Sequence, residues 1–273
     1  MAGRPSSSAI RSGSVASADA RREAILSELG GRGRVHLAYM AEKLGVSAMT
    51  LRRDLDQLED EGLLERIRGG AIPTRGTVII DTVEPEFQRR IDRARADKES
   101  IAEKAASLLV DVQTLALDVG TTTLALARRL TDSRQTKVFT NNLRIAQVLA
   151  DAGIELYLAG GLVRPIEQAV GGPSAISQFE ALWFDVAVIG TSGITADGFF
   201  DYSFEDSAMK RVYFSRATRR IVLADSAKFN RKSLVRISSL ESATDLVTEA
   251  EPPEEIAAAL AKAGVKVHIA ALP

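Results

Sequence analysis

The run Leu115-Ala116-Leu117-Asp118-Val119-Gly120-Thr121-Thr122-Thr123 sets an apolar segment, a carboxylate, a glycine and three hydroxyls in succession. That order reads as a strand, a tight turn and a helix start. Gly120 lets the backbone turn. Thr121, Thr122 and Thr123 bring hydroxyls and backbone N–H groups to a helix N-terminus, which suits an anion. Asp118, at the carboxyl end of the strand, can accept hydrogen bonds from sugar hydroxyls. Other apolar segments end in comparable groups: Thr140-Asn141-Asn142, Gly160-Gly161 with Arg164, Gly190-Thr191-Ser192-Gly193 and Asp225-Ser226-Ala227-Lys228. Taken singly, each has a plainer reading as a helix cap, a turn or a surface charge. Their recurrence at successive strand ends favours one shared pocket, because ligands of open α/β sheets bind outside those ends.

A second constellation lies nearer the N-terminus. Ser47 is a good N-cap, and Ser47 and Thr50 hydroxyls at a helix start suit phosphate. Met49, Arg52 and Arg53 point away from the apolar stripe Leu51, Leu55, Leu58. An arginine fork matches guanine O6 and N7 in a major groove. Arg53 has an alternative, pairing with Asp54, Asp56 or Glu59 to orient the helix. Arg52 has a similar one. Downstream, Leu63 to Arg68, Gly69-Gly70 and Ala71-Ile72 read as a hairpin that carries Arg66 and Arg68 as a wing near a nucleic-acid backbone.

These residues need elements to hold them. Ile25, Leu26 and Leu29 predict a first helix ending at Gly30-Gly31. Leu37, Met40, Ala41 and Leu44 predict a second, closed by Gly45, with His36 before it as a surface or capping residue. Helix, turn, helix and hairpin together make a winged helix-turn-helix pattern, although stripes alone also fit any small helical bundle. Residues 73–83 read as a linker and 86–109 as one charged helix. Strands are expected at 114–118, 137–140, 154–159, 186–190, 220–224, 245–248 and 265–269. The helices between them are expected at 122–130, 143–151, 174–182, 205–217 and 253–263. Continuous apolar strands separated by helices imply a buried, mostly parallel sheet.

Composition narrows the class. The chain has 273 residues, no cysteine and two histidines far apart, which excludes disulfides and thiolate zinc sites and offers no metal-ligand spacing. No metal or redox cofactor is suggested. No apolar run is long enough to span a membrane, and the Ser-, Ala-, Gly- and Arg-rich N-terminus lacks the apolar core of a secretory signal. The cytoplasm is the expected address. Net charge is −1, split as 12 Lys+Arg against 10 Asp+Glu up to Arg75 and 23 against 26 beyond, a slight bias toward a DNA-facing N-terminus.

In Glu42-Lys43-Leu44-Gly45-Val46-Ser47-Ala48-Met49-Thr50-Leu51-Arg52-Arg53-Asp54-Leu55, the sequence resembles the DeoR family of bacterial transcription regulators. Glu61-Gly62-Leu63-Leu64-Glu65-Arg66-Ile67-Arg68-Gly69-Gly70-Ala71, and its spacing from the first run, fit the same family. The second half adds Glu86-Phe87-Gln88-Arg89-Arg90, Lys98, Asp118 to Thr123, Thr140 to Asn142, Gly160-Gly161, Glu205 with Lys210-Arg211, and Asp225 to Phe229. The resemblance therefore covers about Ala20 to Thr248. The composition of 1–18 reads as a flexible tail, and the resemblance implies a winged helix-turn-helix domain over 19–73 and a linker and connecting helix over 74–96. An α/β effector-binding and oligomerisation domain follows over 97–273. That domain is expected to be Rossmann-like, with a mostly parallel sheet similar to ribose-5-phosphate isomerase and CoA transferases.

The function implied is a DNA-binding regulator, a repressor of carbohydrate metabolism genes. Its affinity for double-stranded operator DNA would be set by a sugar phosphate or related metabolite. By the resemblance, Arg90, Lys98, Gly120 to Thr123, Glu205, Lys210 and Lys228 become effector contacts. A homo-oligomer is expected, since helix-turn-helix proteins read paired half-sites. Two departures leave specificity open. Ala48-Met49 stands where the family usually has a Glu, Pro or other polar residue. Tyr202-Ser203-Phe204 and Asp206-Ser207-Ala208 differ from the commoner wording. An isomerase or hydrolase reading would need a carboxylate base, for which Asp118 and Glu205 are possible, but no clustered acidic motif accompanies them. A purely architectural DNA-binding protein would have no use for the Thr and Lys groups at the strand ends.

Overall fold

The computed structural model describes residues 17–32, 34–72, 79–80, 84–133 and 135–270. The expected tail up to residue 16 and most of the linker 73–83 lie outside the described residues. Two compact units result, one grouping 1–29 with 34–75 and the other 30–33 with 76–273.

The first unit follows the apolar spacing closely. It comprises α1 (Ala18–Arg32), β1 (Val35–His36), α2 (Leu37–Leu44), α3 (Ala48–Asp60), β2 (Glu65–Ile67) and β3 (Gly70–Ile72). Helix α1 runs through Gly30-Gly31 to Arg32 rather than stopping there, since glycine weakens a final helical turn without forbidding it. Gly45 ends α2 in the left-handed conformation (φ 63°, ψ 33°), where its lack of a Cβ removes the strain. Ser47 caps α3, its Oγ accepting the Thr50 N–H at 3.1 Å. Ile25, Leu29, Val35, Met40, Leu51, Leu55, Leu58, Leu64 and Ala71 close over one another as a single apolar core.

The wing is a three-stranded antiparallel sheet in the order β1-β3-β2. Gly70 pairs with His36 across β1 and β3, and a Cβ on it would lie 1.8 Å from the Val35 carbonyl oxygen. Gly70→Ala is therefore expected to part β1 from β3 and to destabilise the unit by about 2 kcal/mol, the usual scale of overpacking. Denaturant unfolding of the full chain checks this, and a first unit with unchanged midpoint would contradict it.

The second unit begins with β4 (Ile79–Ile80), α4 (Phe87–Asp92) and α5 (Arg95–Ser107). The single helix expected over 86–109 is thus two. The break falls at Arg93-Ala94, where Ala94 adopts a left-handed conformation (φ 51°) that nothing in its side chain announces. The alternation that follows is β5 (Thr114–Leu117), α6 (Thr121–Arg129), β6 (Lys137–Thr140), α7 (Leu143–Asp151) and β7 (Leu156–Leu158). Next come a hairpin, β8 (Leu162–Arg164) and β9 (Ala169–Gly171), then α8 (Pro173–Glu180) and β10 (Phe184–Gly190). They are followed by β11 (Gly193–Thr195), β12 (Gly198–Asp201), α9 (Phe204–Ser215), β13 (Ala217–Leu223), β14 (Arg231–Lys232) and β15 (Val235–Ser238). The last elements are β16 (Asp245–Thr248), α10 (Glu254–Lys262) and β17 (Lys266–Ile269).

Seven strands form one parallel sheet in the order β17-β16-β13-β10-β5-β6-β7. Its two faces carry separate apolar clusters. One holds Ile101, Leu124, Leu126, Ile145 and Leu149 from α5, α6 and α7, and the other Phe179, Met209, Tyr213, Ile256 and Leu260 from α8, α9 and α10. The chain leaves β5 toward β6 on one side and returns to β10 on the other. This reversal is the topological switch point of a doubly wound sheet, and a crevice opens there at the strand ends. No helix among the described residues is long and apolar enough to cross a membrane.

Candidate functional site

In the first unit, α3 buries Leu51, Asp54, Leu55 and Leu58 and exposes Met49, Arg52, Arg53 and Asp56. The acids near Arg53 are already engaged. Asp54 is held bidentately by Arg21, at 2.7 and 3.0 Å. Asp56 pairs with Arg66, and Glu59 accepts the Arg66 backbone N–H at 2.7 Å. The alternative in which Arg53 pairs with one of these acids is not realised. Arg66 therefore pins the wing to α3, whereas Arg68 stands exposed in the turn between β2 and β3. Ser47 and Thr50 hydroxyls lie 2.9 Å apart at the head of the helix. His36 occupies the N-cap position of α2 without a side-chain cap bond.

In the second unit, a polar cavity lies at the switch point. Its lining includes Gly120, Thr121 and Thr122 after β5, Gly190, Thr191 and Ser192 after β10, and Asp225 and Lys228 after β13. The first N–H groups of α6 have no partner within the helix, whose ladder starts with Leu124 N–H to Gly120 O at 3.0 Å. Arg90, Arg93 and Lys98 close the cavity from α4, α5 and the break between them.

Lys98 explains that break. Its ammonium donates to the carbonyls of Arg90 and Arg93, satisfying the C-terminal end of α4. Burial brings its pKa down to about 8, against the opposing pull of Asp225. Burial also lowers Lys228, again opposed by Asp225. Among the described residues the Lys228 ammonium makes no hydrogen bond or ion pair.

Lys210 is the buried cation of the cavity that carboxylates surround. It contacts Asp118 at 3.1 Å, pairs with Asp201, and donates to the Gly190 carbonyl at 2.9 Å. Burial acts to lower it, but Asp118, Asp201 and Asp206 outweigh burial and raise it, so Lys210 stays charged. Burial pushes the Asp118 carboxyl up despite Lys210. One Asp118 oxygen accepts the Gly190 N–H at 3.2 Å, while the other is buried without a partner, as is one oxygen of Asp225. Of these two acids Asp225 lines the cavity and Asp118 lies buried behind it, and the open Asp225 oxygen beside the unpaired Lys228 suits a ligand that carries a hydroxyl as well as negative charge.

Glu84 and Glu167 share Arg90. Its guanidinium lies 2.9 Å from Glu84 and also pairs with Glu167. Burial pushes Glu84 up to about 7, against the pull of Arg90.

Several sequence candidates stand outside the cavity. Thr123 donates back to Gly120 O at 3.0 Å, as a helix-start hydroxyl does. Thr140 donates to Leu117 O at 2.7 Å. Asn141 links Val170 O and the Tyr213 hydroxyl, each at 2.9 Å. Asn142 caps α7 through Ile145 N–H at 3.0 Å, and its amide N–H reaches Glu167 O at 3.2 Å. Asn141 and Asn142 thereby hold the segment that presents Glu167, so they position the site without lining it. Arg164 turns to Ser203 and Asp206. Glu205 is exposed and accepts from the Ser203 hydroxyl at 3.1 Å, and Gly161 is exposed beside Gly171.

Residues the sequence reading did not single out complete the cavity: Glu84, Arg93, Glu167, Asp201, Asp206 and Arg231. Asp201 ends a strand whose hairpin signal, Asp197-Gly198, was present. Glu84 and Glu167 sit in irregular segments with no such signal. Among the described residues no cluster of His, Asp and Glu is arranged to hold a metal ion.

Comparison with known proteins bears on both units. Residues 21–75 match the DeoR-like helix-turn-helix domain and residues 93–250 the DeoR C terminal sensor domain. The chain is 34% identical to the HTH-type transcriptional regulator GlpR of Haloferax volcanii over 81% of this chain and 87% of that one. It is 32% identical to a putative aga operon transcriptional repressor of Escherichia coli O157:H7 over 90% and 92%. Among solved structures, ribose 5-phosphate isomerase A from Methanocaldococcus jannaschii aligns with a TM-score of 0.37 at 14% identity, over 50% of this chain and 55% of that one. With both domains matched in order and along most of its length, the chain belongs to the DeoR family of transcriptional regulators.

Proposed function

We propose that this protein represses genes of carbohydrate metabolism and that a phosphorylated sugar, or a related hydroxylated anion, sets its affinity for operator DNA. The observation that carries the reading is the cavity's mixed chemistry. Free helix N–H groups at Thr121 and Thr122, with Lys98 and Lys228, suit a phosphate, and the unpartnered oxygen of Asp225 suits a hydroxyl. The name of the Escherichia coli relative, an operon repressor, supports the repressor part.

Glu84 gives the effector a route to the DNA-binding half. It belongs to the connecting segment 74–96, and its hold on Arg90 competes with any anion drawn to that guanidinium. An effector that takes Arg90 from Glu84 binds one state of the connecting segment better than another, which is what a population shift requires. The DNA-binding part is taken as 19–73 and the effector part as 97–273. Two or more copies act together in the cytoplasm, so that paired recognition helices meet paired half-sites. The edge strand β7 and the β8–β9 hairpin that follows it, with Leu158, Leu162, Val163 and Ile166 exposed, are consistent with a surface that another copy covers.

The test is calorimetric titration with sugar phosphates and with the same sugars unphosphorylated. Binding of a phosphorylated compound and none of its parent sugar is expected. Equal binding of both would contradict the anion site. A pH dependence follows from Lys98. Its ammonium loses its proton as pH rises through about 8, and with it the attraction for a phosphate that is already a dianion. Affinity is expected to fall about tenfold between pH 7 and pH 9. A flat profile would remove Lys98 from the site.

A further inference from the structure

Met49 is the feature of α3 that neither core packing nor charge explains. It sits in the first turn and is 59% exposed. Helical spacing puts Met49, Arg52, Arg53 and Asp56 on one face, at i, i+3, i+4 and i+7, opposite the buried Leu51, Leu55 and Leu58. The rest of the leading turn offers little reach. Ala48 has no polar atom in its side chain, and the Ser47 and Thr50 hydroxyls already bond each other at 2.9 Å. The helix therefore leads with a long, flexible thioether on a face otherwise polar and charged.

An apolar side chain held in water contributes stability only when a partner covers it. In a major groove the apolar group on offer is the C5-methyl of thymine, whereas the other base edges present donors and acceptors. Arg52 and Arg53, one turn further along the same face, are suited to guanine or phosphate, so a thymine next to their contacts falls to Met49. We infer that Met49 reads a thymine C5-methyl and so sets part of this protein's sequence preference. The inference rests on α3 entering the groove, and the experiment separates the two.

The duplex most enriched by the wild-type protein from a randomised pool is resynthesised with deoxyuridine replacing each thymidine in turn. Uracil keeps the O4 acceptor and loses only the methyl. The expected result is a thymine in each half-site whose replacement weakens wild-type binding about fourfold, the scale of one buried methyl. The same replacement leaves Met49→Ala binding unchanged. The inference is overturned if no thymine-to-uracil change alters wild-type affinity, or if the loss persists in Met49→Ala. Failure of the wild-type protein to enrich any sequence would defeat the groove assignment itself, and the inference with it.

Discussion

Replacing Arg52 and Arg53 together by alanine is expected to weaken binding to the enriched duplex by roughly a hundredfold or more, at one to three kcal/mol for each well-formed arginine–base pair. The melting temperature should hardly move. Both guanidiniums are exposed, and the acids that would otherwise orient them are committed elsewhere, Asp54 to Arg21 and Asp56 and Glu59 to Arg66. Their removal leaves no carboxylate without its partner. Arg66→Ala is the contrasting case, because it frees Asp56 and loosens the wing from α3. Fluorescence anisotropy with circular dichroism melts distinguishes the two. Unchanged affinity in the Arg52/Arg53 variant would mean that another surface meets the DNA.

The second large effect concerns Lys210. In Lys210→Met, Asp118 and Asp201 lose their buried cation and the Gly190 carbonyl loses a donor. Breaking a buried pair from one side costs about 3–5 kcal/mol. For a unit of this size that lowers the melting temperature by about 10 °C. The loss should depend on pH. Without Lys210 the Asp118 carboxyl, which burial already pushes up, titrates higher still in the folded than in the unfolded chain, so the folded state binds more protons, and stability falls as pH rises from about 4 toward neutrality. Melts at pH 5 and pH 8 should therefore show the larger deficit at pH 8. A variant that melts like the wild type at both values would show that Lys210 does not hold this cluster together.

The sequence announced the parallel sheet because continuous apolar strands and capped helices are local signals. Ser47, Gly45 and the stripe Leu51, Leu55, Leu58 each appear where their spacing placed them. What escaped notice was non-local or unmarked. The break at Ala94 depends on Lys98 reaching back to two carbonyls, and no pattern of residue types encodes that reach. The strands β8, β9, β11, β12, β14 and β15 are too short for periodicity to register, yet they or their flanks bring Glu167, Asp201 and Arg231 to the cavity. Strand-end polarity identified Gly120, Thr121, Thr122 and Lys228 correctly as neighbours of one crevice. It could not separate these from Thr140, Asn141 and Asn142, whose equally polar side chains are spent on backbone groups.

Whether one small anion governs DNA binding through the switch-point cavity is decided by measuring operator affinity across a panel of sugar phosphates. The wild-type protein is compared with Lys228→Ala. One compound is expected to change wild-type affinity tenfold or more, as a coupling of about 1.4 kcal/mol requires, and the variant is expected to bind the same DNA with a blunted response. A wild-type response that Lys228→Ala reproduces in full, or tight DNA binding that no compound alters, would contradict it.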